Sequence, residues 1–221
     1  MFKKRIEKII PNLNKYKYFI IDFDGTLLKS SYMWRHVPSL FVKSKGLKPK
    51  SNLDDYCKTL NFNESHEYIK NTYFKGQNID FEKEIEEFIL SKYKNIELIQ
   101  NARLLLDILK EKGKLYLYTA TNSRLIDANL ENTKIRDYFE SIYTSTNFNY
   151  TKQDGIGYLK LIEELNINKD EVLVFEDAPY AAFGASKEFD VVLMKCMTNK
   201  KKRRKLKKVC KYYMNLAKLE I

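Results

Sequence analysis

One stretch near the N-terminus constrains the fold more than any other: a short apolar run that ends in two carboxylates and a glycine. Residues 18–21 are aromatic or β-branched, a composition typical of a strand buried on both faces. Asp22 and Asp24 follow, and alternation along an extended backbone places their side chains on the same side. Gly25 permits a sharp turn. Two acids at the end of a buried strand cost desolvation energy unless a cation pairs with them, so this stretch predicts a divalent metal site.

Strands and helices alternate from residue 96 onward. We predict strands at 115–118, 141–143, 171–175 and 190–194, and helices at 101–112, 124–132, 157–165 and 180–189. In the helix at 157–165 the apolar stripe is Leu159, Ile162 and Leu165. Alternation of this kind indicates a parallel sheet with helices on both faces. Such sheets bind ligands at the carboxyl ends of their strands.

Residues 31–93 have helical periodicity and almost no strand signal. Three or four helices fit the pattern. The candidate segments are 31–45, a cap at Ser51 to about residue 60, a cap at Asn63 to about residue 74, and 81–93. A short helix is also expected at 2–10. We therefore predict an α/β protein with a Rossmann-like parallel sheet core at 1–28 and 95–221, and an inserted α-helical domain at 29–94.

Three further segments, each at a strand end or in a loop of the predicted core, carry polar groups. Thr119 and Ala120 come just before a helix start, where unpaired backbone N–H groups suit a phosphate, although Asn122 or Ser123 could simply cap that helix. Lys152 lies in the loop before the helix at 157–165. The adjacent acids Glu176 and Asp177 come directly off a strand of valines and leucine, which favours a cation site over an acidic helix cap.

These four segments occur in the order of the four motifs of the haloacid dehalogenase superfamily, and the Glu176–Asp177 pair resembles its β-phosphoglucomutase-like branch. The resemblance covers about residues 17–196 and implies a helical cap between the first two motifs. It implies that Asp22 is the nucleophile and that Asp24 is the general acid and base. Thr119, Ala120 and Lys152 would bind the phosphoryl group. Mg²⁺ would be held by Asp22, Asp24 (through its backbone carbonyl) and Asp177, with Glu176 bound to the metal directly or through water.

The resemblance implies a Mg²⁺-dependent phosphatase that hydrolyses a small phosphorylated metabolite through an aspartyl-phosphate. Asp24 favours phosphate esters over carbon–halogen bonds and phosphonates, because relatives with those substrates lack the second aspartate. The alternative is a sugar phosphomutase of the same branch. Trp34 stands where the mutase histidine would fall, and no arginine occurs at 60–63, so we favour the phosphatase. Trp34 serves either packing within the cap or substrate contact.

The formal charge of +11 is concentrated in one segment. Nine cations lie between residues 200 and 211, so the rest of the chain carries only +2. We predict one terminal helix at 197–221, with Leu206, Cys210, Tyr213 and Ala217 on one stripe and a solvated basic face. The alternative is a module that binds nucleic acid or an anionic membrane through this tail. Three cysteines without metal-ligand spacing, and no signal-peptide pattern, favour a cytoplasmic protein.

Overall fold

The computed structural model of the protein describes residues 1–195 and 200–219. The chain forms two compact units. The first comprises Met1–Lys29 and the chain from Glu97 onward, and the second comprises Ser30–Ile96. The interpretation of residues 29–94 as a cap domain stays a prediction.

The first unit contains a parallel sheet of six strands in the order β3-β2-β1-β4-β5-β6. The strands are β1 (Tyr18–Ile21), β2 (Lys114–Tyr118), β3 (Phe139–Tyr143), β4 (Val172–Glu176), β5 (Asp190–Met194) and β6 (Tyr212–Met214). The three central strands are almost entirely buried, as their continuous apolar sequences require. The predicted Rossmann-like α/β fold is confirmed.

Strand β1 is the centre of the sheet and sets the position of the site. Ile21 is level with Leu117 of β2 on one side and with Phe175 of β4 on the other. The chain first moves outward from β1 through β2 to β3, and then returns to the opposite side of β1 with β4. This reversal leaves a crevice beyond the carboxyl ends of β1 and β4, where open α/β sheets bind their ligands.

Helices cover both faces of this sheet. They are α1 (Phe2–Ile9), α6 (Ala102–Lys110), α7 (Ser123–Thr133), α8 (Ile156–Leu165), α9 (Pro179–Ala185) and α10 (Lys200–Val209). Helices α8, α9 and α10 share one apolar cluster with alternate residues of the strands, among them Ile20, Val174 and Leu193. Helices α6 and α7 lie on the opposite face. Their crossovers lead from β1 towards β3, whereas those of α8, α9 and α10 lead from β3 towards β6, and right-handed crossovers in opposite directions place their helices on opposite faces.

The second unit is helical. It contains α2 (Ser31–Ser44), α3 (Leu53–Cys57), α4 (Phe62–Tyr73) and α5 (Phe81–Tyr93). Phe41 lies at the centre of its core, with ring centroids 5.5 to 5.6 Å from those of Phe74, Phe81 and Phe88. Helix α4 begins one residue after Asn61, which forms a capping box with Glu64, and not after Asn63 as the sequence predicted. Among the described residues, no helix of either unit is long and apolar enough to cross a membrane.

The prediction of one terminal helix at 197–221 is wrong. Helix α10 ends at Val209, and β6 follows as a sixth strand. Residues 197–199 and 220–221 of that prediction lie outside the described part of the chain. The backbone of β5 would otherwise be an unpaired sheet edge, and Tyr212, Tyr213 and Met214 pair with it in parallel register. This pairing outweighs the helical stripe that the sequence suggested.

Two glycines bring the loop before α8 against helix α9. A Cβ atom on Gly184 would lie 2.6 Å from the backbone nitrogen of Gly155, and one on Gly155 would lie 2.5 Å from the carbonyl oxygen of Gly184. Gly155 also has a φ of +84°, which side chains rarely adopt. The two backbones can therefore meet only because both residues lack a side chain. The loop held in this way carries Lys152.

Replacing Gly184 with alanine tests this contact. The added methyl group would collide with the backbone at Gly155 and cost about 1–3 kcal/mol, whereas the gain in helix propensity is at most about 1 kcal/mol. We expect Gly184→Ala to lower the melting temperature by a few degrees. Asn132→Ala, on an exposed position of α7, is the control and should leave it nearly unchanged. A Gly184→Ala protein as stable as the wild type would contradict the close approach.

Candidate active site

Three carboxylates meet beyond the carboxyl ends of β1 and β4. Oxygen atoms of Asp22, Glu176 and Asp177 all lie within 4.8 Å of one another. Asp22 follows β1, Glu176 is the last residue of β4, and Asp177 follows it. Asp22 is only 7% exposed and Glu176 is fully buried. The two predicted acidic segments, with Asp22 and Glu176 154 residues apart in the sequence, therefore form one cluster.

Lys152 supplies the positive charge of this cluster. Its ammonium lies 2.5 Å from Asp22 Oδ1 and 2.8 Å from Glu176 Oε2. The side chain is buried, and its Nζ atom also lies 5.2 Å from the centroid of the Tyr118 ring. Burial alone would lower the pKa of Lys152, but Asp22 and Glu176 raise it above its ordinary value. The ammonium is thus held in its charged form inside the protein.

Glu176 has a hydrogen-bond partner at each oxygen. Its Oε1 accepts from the backbone N–H of Ala178 at 2.8 Å, and its Oε2 accepts from the Tyr158 hydroxyl at 2.8 Å as well as from Lys152. The buried Tyr158 hydroxyl and Glu176 together fix the Lys152 ammonium beside Asp22. Whether Glu176 also binds a metal stays a prediction.

The two carboxylate oxygens of Asp22 differ in their hydrogen bonding. Its Oδ2 atom is buried and has no hydrogen-bond partner among the described residues. Burial, followed by the Glu176 charge, raises the pKa of Asp22 to about 7. Burial, followed by the Asp22 charge, raises the pKa of Asp177 to about 9. One ammonium against three carboxylates leaves negative charge that a cation would stabilise, and oxygen donors of this kind suit a hard divalent ion such as Mg²⁺.

Asp24 is held separately from the cluster. Its Oδ2 accepts a hydrogen bond of 2.7 Å from the Thr121 hydroxyl. The Thr121 backbone N–H in turn donates to Thr119 Oγ1 at 3.2 Å. Asp24 is partly exposed, unlike Asp22, so its carboxylate can reach both solvent and a ligand in the crevice. The sequence singled out Thr119 in this segment but missed the contact made by Thr121.

The three predicted phosphate-binding residues line one cleft. Thr119, Ala120 and Lys152 border a cavity of about 520 Å³, together with Tyr118 and Tyr180. Helix α7 begins beside this cleft, and Asn122 caps it by accepting a hydrogen bond from the Leu125 N–H at 3.0 Å. Capping of α7 therefore uses Asn122, whereas the predicted phosphate site uses Thr119. The helix cap and the phosphate site that the sequence suggested for this segment are compatible. The assignment of these residues to phosphate stays a prediction.

Comparison with known proteins identifies the family. The family of haloacid dehalogenase-like hydrolases matches residues 19–196, which is most of the chain. The chain belongs to this family. The predicted membership of the haloacid dehalogenase superfamily is confirmed, and so is the prediction that the chain is an enzyme, a hydrolase of this family. No curated protein matches the chain by sequence.

Solved structures of several other proteins share the fold. A Thermotoga maritima protein whose description names a β-phosphoglucomutase has a TM-score of 0.77 at 18% identity, covering 92% of this chain and 96% of that one. A predicted phosphoglycolate phosphatase from Haemophilus somnus has a TM-score of 0.70 at 16% identity, with coverages of 92% and 96%. The Bacillus subtilis hydrolase YfnB, bound to magnesium, has a TM-score of 0.65 at 16% identity, with coverages of 81% and 88%. The chain thus has the fold of these proteins, as membership of the predicted β-phosphoglucomutase-like branch requires.

The raised pKa values of the cluster predict pH-dependent metal binding in this haloacid dehalogenase-like hydrolase. Protons occupy Asp22 below about pH 7 and Asp177 below about pH 9, and a metal ion must displace them. We expect the affinity for Mg²⁺ to rise more than about tenfold between pH 6 and pH 8, with protons released on binding. Titration calorimetry in buffers of different ionisation enthalpy measures both quantities.

Asp177→Asn and Asp170→Asn are the matched variants for this titration. Asp177 belongs to the cluster, whereas Asp170 is exposed and lies outside it. Asp177→Asn should bind Mg²⁺ much more weakly, and Asp170→Asn should behave as the wild type. An affinity that falls or stays constant as the pH rises would contradict the assignment of the cluster as a metal site.

Proposed function

We propose that this protein is a Mg²⁺-dependent phosphatase that hydrolyses a small phosphomonoester through an aspartyl-phosphate on Asp22. The observation that carries the proposal is the state of the Asp22 carboxylate. One oxygen is fixed by the Lys152 ammonium at 2.5 Å, while the other is buried and has no partner among the described residues. A carboxylate oriented in this way at a sheet's ligand-binding edge is suited to attack an electrophile.

The cleft beside Asp22 supplies the groups that a phosphate needs. The Thr119 hydroxyl, the Ala120 N–H and the Lys152 ammonium would bind the phosphoryl oxygens and hold the phosphorus near the Asp22 carboxylate. The charge of Lys152 offsets the repulsion between a doubly charged phosphate and an incoming carboxylate. Lys152 thus serves both as the partner of the nucleophile and as a ligand of the substrate.

In the first step, an Asp22 oxygen bonds to phosphorus and the bond from phosphorus to the ester oxygen breaks. Asp24 donates a proton to that departing oxygen, which leaves as an alcohol. The Thr121 hydroxyl, 2.7 Å from Asp24 Oδ2, orients the Asp24 carboxyl for this transfer.

In the second step, water attacks the phosphorus of the aspartyl-phosphate. Asp24 takes a proton from that water, the bond from phosphorus to Asp22 breaks, and inorganic phosphate leaves. The same carboxyl therefore acts first as acid and then as base, which returns the enzyme to its starting state.

The cluster would hold the metal through the carboxylates of Asp22 and Asp177 and the backbone carbonyl of Asp24. When bound, Mg²⁺ neutralises negative charge on the phosphate oxygens and on the carboxylates around it. The clustering of these carboxylates and the raised pKa values of Asp22 and Asp177 support this assignment.

A sugar phosphomutase is the second candidate, because one solved structure with the same fold is named as a β-phosphoglucomutase. Trp34, which replaces the mutase histidine, contacts the Tyr93 ring within the helical unit, with centroids 5.7 Å apart. This contact supports the packing interpretation of Trp34 and leaves the cap without the mutase histidine at this position. Conversion of a hexose 1-phosphate into a hexose 6-phosphate without release of phosphate would favour the mutase.

Asp22→Asn tests the nucleophile. We expect release of phosphate from a panel of phosphomonoesters to fall by about 10⁴-fold or more, because an amide cannot form the covalent intermediate. The wild type should lose activity in EDTA and regain it with excess Mg²⁺. The variant should remain folded, because Glu176 still pairs with the Lys152 ammonium and the asparagine carbonyl oxygen can accept a hydrogen bond from it.

Asp137→Asn, the same chemical change at an exposed position, is the matched control and should retain full activity. Thermal melting of both variants separates a loss of chemistry from a loss of structure. Release of phosphate by Asp22→Asn at the rate of the wild type would overturn the mechanism.

Thr121→Val tests the positioning of Asp24. The substitution removes the hydroxyl at nearly constant shape, so the Asp24 carboxylate loses the hydrogen bond from Thr121. We expect kcat to fall about tenfold while KM and Mg²⁺ affinity stay nearly unchanged. Thr121→Ser should restore most of the rate, since serine keeps the hydroxyl. Equal losses in the valine and serine variants would show that the hydroxyl has no role.

A further inference from the structure

Helices α8, α9 and α10 form one side of the first unit. All three pack on the same apolar cluster over one face of the sheet, through residues such as Leu161, Ala182 and Leu206. Their outward sides therefore form a common surface, which we call the α8–α10 face. The proposed chemistry uses the carboxyl edge of the sheet and leaves this face without an assigned role.

Helix α10 makes this face strongly positive. Eight of its ten residues, Lys200–Val209, are lysine or arginine, and seven of these eight are exposed. The sequence contains no acidic residue from 191 to 219. Leu206 is the one residue of the helix that is buried in the core. The cations are thus displayed outward on a helix that is anchored to the sheet.

The positive charges of α10 destabilise the helix that carries them. Lys200 and Arg204, Lys201 and Lys205, and Arg204 and Lys208 are like-charged pairs four residues apart, a spacing that places them side by side. The first turn is entirely cationic, at the end of the helix where the backbone dipole is already positive. A dense anionic surface laid against α10 would relieve both effects.

Exposed apolar side chains lie on the same face. Ile156 at the start of α8 is 56% exposed, Phe183 on α9 is 49% exposed, and Val209 at the end of α10 is 45% exposed. Large apolar residues rarely gather on a surface without a partner. Each helix of the face contributes one of the three.

The backbone contacts between the helices bring these residues together. Ile156 follows Gly155, whose backbone touches that of Gly184, the residue after Phe183. Val209 precedes Cys210, whose Sγ atom lies 3.9 Å from the carbonyl oxygen of Ala182, the residue before Phe183 in α9. The apolar residues therefore lie around α9, next to the cationic helix.

We propose that the α8–α10 face binds the surface of an anionic lipid membrane. The cations of α10 would attract the acidic headgroups, and Ile156, Phe183 and Val209 would enter the boundary between headgroups and acyl chains. Two weak signals of this kind together give the stable, reversible attachment that either alone does not provide. The proposal does not depend on the phosphatase activity.

The composition of the face favours lipid over nucleic acid. Six of the eight cations of α10 are lysines, which act as compact point charges and lack the planar fork with which arginine binds phosphates. Ile156 and Val209 are aliphatic and cannot stack on bases, whereas an acyl-chain boundary accepts them. Phe183 suits either partner and does not discriminate between them.

Sedimentation of the full chain with vesicles tests the proposal. We expect binding to phosphatidylcholine vesicles that contain about 30 mol% phosphatidylserine, loss of that binding in high salt, and little binding to pure phosphatidylcholine. Each cation near such a surface contributes roughly a fivefold factor in partitioning. A variant that neutralises four exposed cations should therefore bind several hundredfold more weakly; it carries Lys201→Gln, Arg204→Gln, Lys205→Gln and Lys208→Gln.

A matched variant removes four exposed lysines of the helical unit and so has the same net charge: Lys43→Gln, Lys48→Gln, Lys75→Gln and Lys94→Gln. It should bind the vesicles nearly as well as the wild type. A double variant, Phe183→Ser with Val209→Ser, removes apolar contacts with the acyl-chain boundary and should bind about tenfold more weakly. The loss should be smaller than in the charge variant because the cations of α10 remain in place. Both apolar positions are exposed, and thermal melting checks that each variant is folded.

Three outcomes would overturn the proposal. The first is no binding of the wild type to the acidic vesicles at low salt. The second is an equal loss of binding in the two charge variants, which would show that net charge alone is responsible. The third is binding to a single-stranded RNA more tightly than to the vesicles at the same salt concentration, with no effect of the Phe183→Ser and Val209→Ser double variant.

Discussion

The buried ion pair between Lys152 and Asp22 is the interaction on which the site depends. Taking an ammonium and a carboxylate out of water is expensive, and the geometry must be close and fully hydrogen-bonded for the pair to persist. Glu176 and Tyr158 complete that requirement, since Glu176 holds Lys152 from the second side and Tyr158 holds Glu176. Removing Lys152 would leave adjacent acids buried without their cation. The lysine is thus as necessary to the folded site as to its proposed chemistry.

The fold meets this requirement through positions far apart in the sequence. The reversal of strand order at β1 places Asp22 next to the two acids at the carboxyl end of β4. The loop with Lys152 reaches them because Gly155 and Gly184 let two backbones meet. A single ammonium still does not balance three carboxylates, and the raised pKa values of Asp22 and Asp177 express that imbalance. The architecture of the site therefore favours a cation there, as the proposed Mg²⁺ binding requires.

Much of this could be predicted from the sequence, because strand ends are visible there. Asp22, Asp24 and the Glu176–Asp177 pair directly follow runs of buried strand residues. Tyr158 was not predictable, since a tyrosine in an amphipathic helix indicates core packing. The sequence predicted Leu159, Ile162 and Leu165 on the buried side of α8. In the structure the helix is rotated about its axis relative to this prediction, and Tyr158, Leu161 and Ile162 are buried. Strand β6 was missed because three residues carry little periodicity, and the β5 edge that they pair with is a tertiary feature.

The missed strand changes the meaning of the basic segment. A terminal helix packed only through Leu206 and Cys210 could shift or fray, and its charges would repel one another in many arrangements. Strand β6 instead pairs with β5 beyond the end of α10, so the C-terminal end of α10 is tied to the sheet. The cations are therefore presented in one orientation, on the face where Phe183 and Val209 are exposed. Pairing of Tyr212 to Met214 with the sheet thus converts a charged tail into a defined surface.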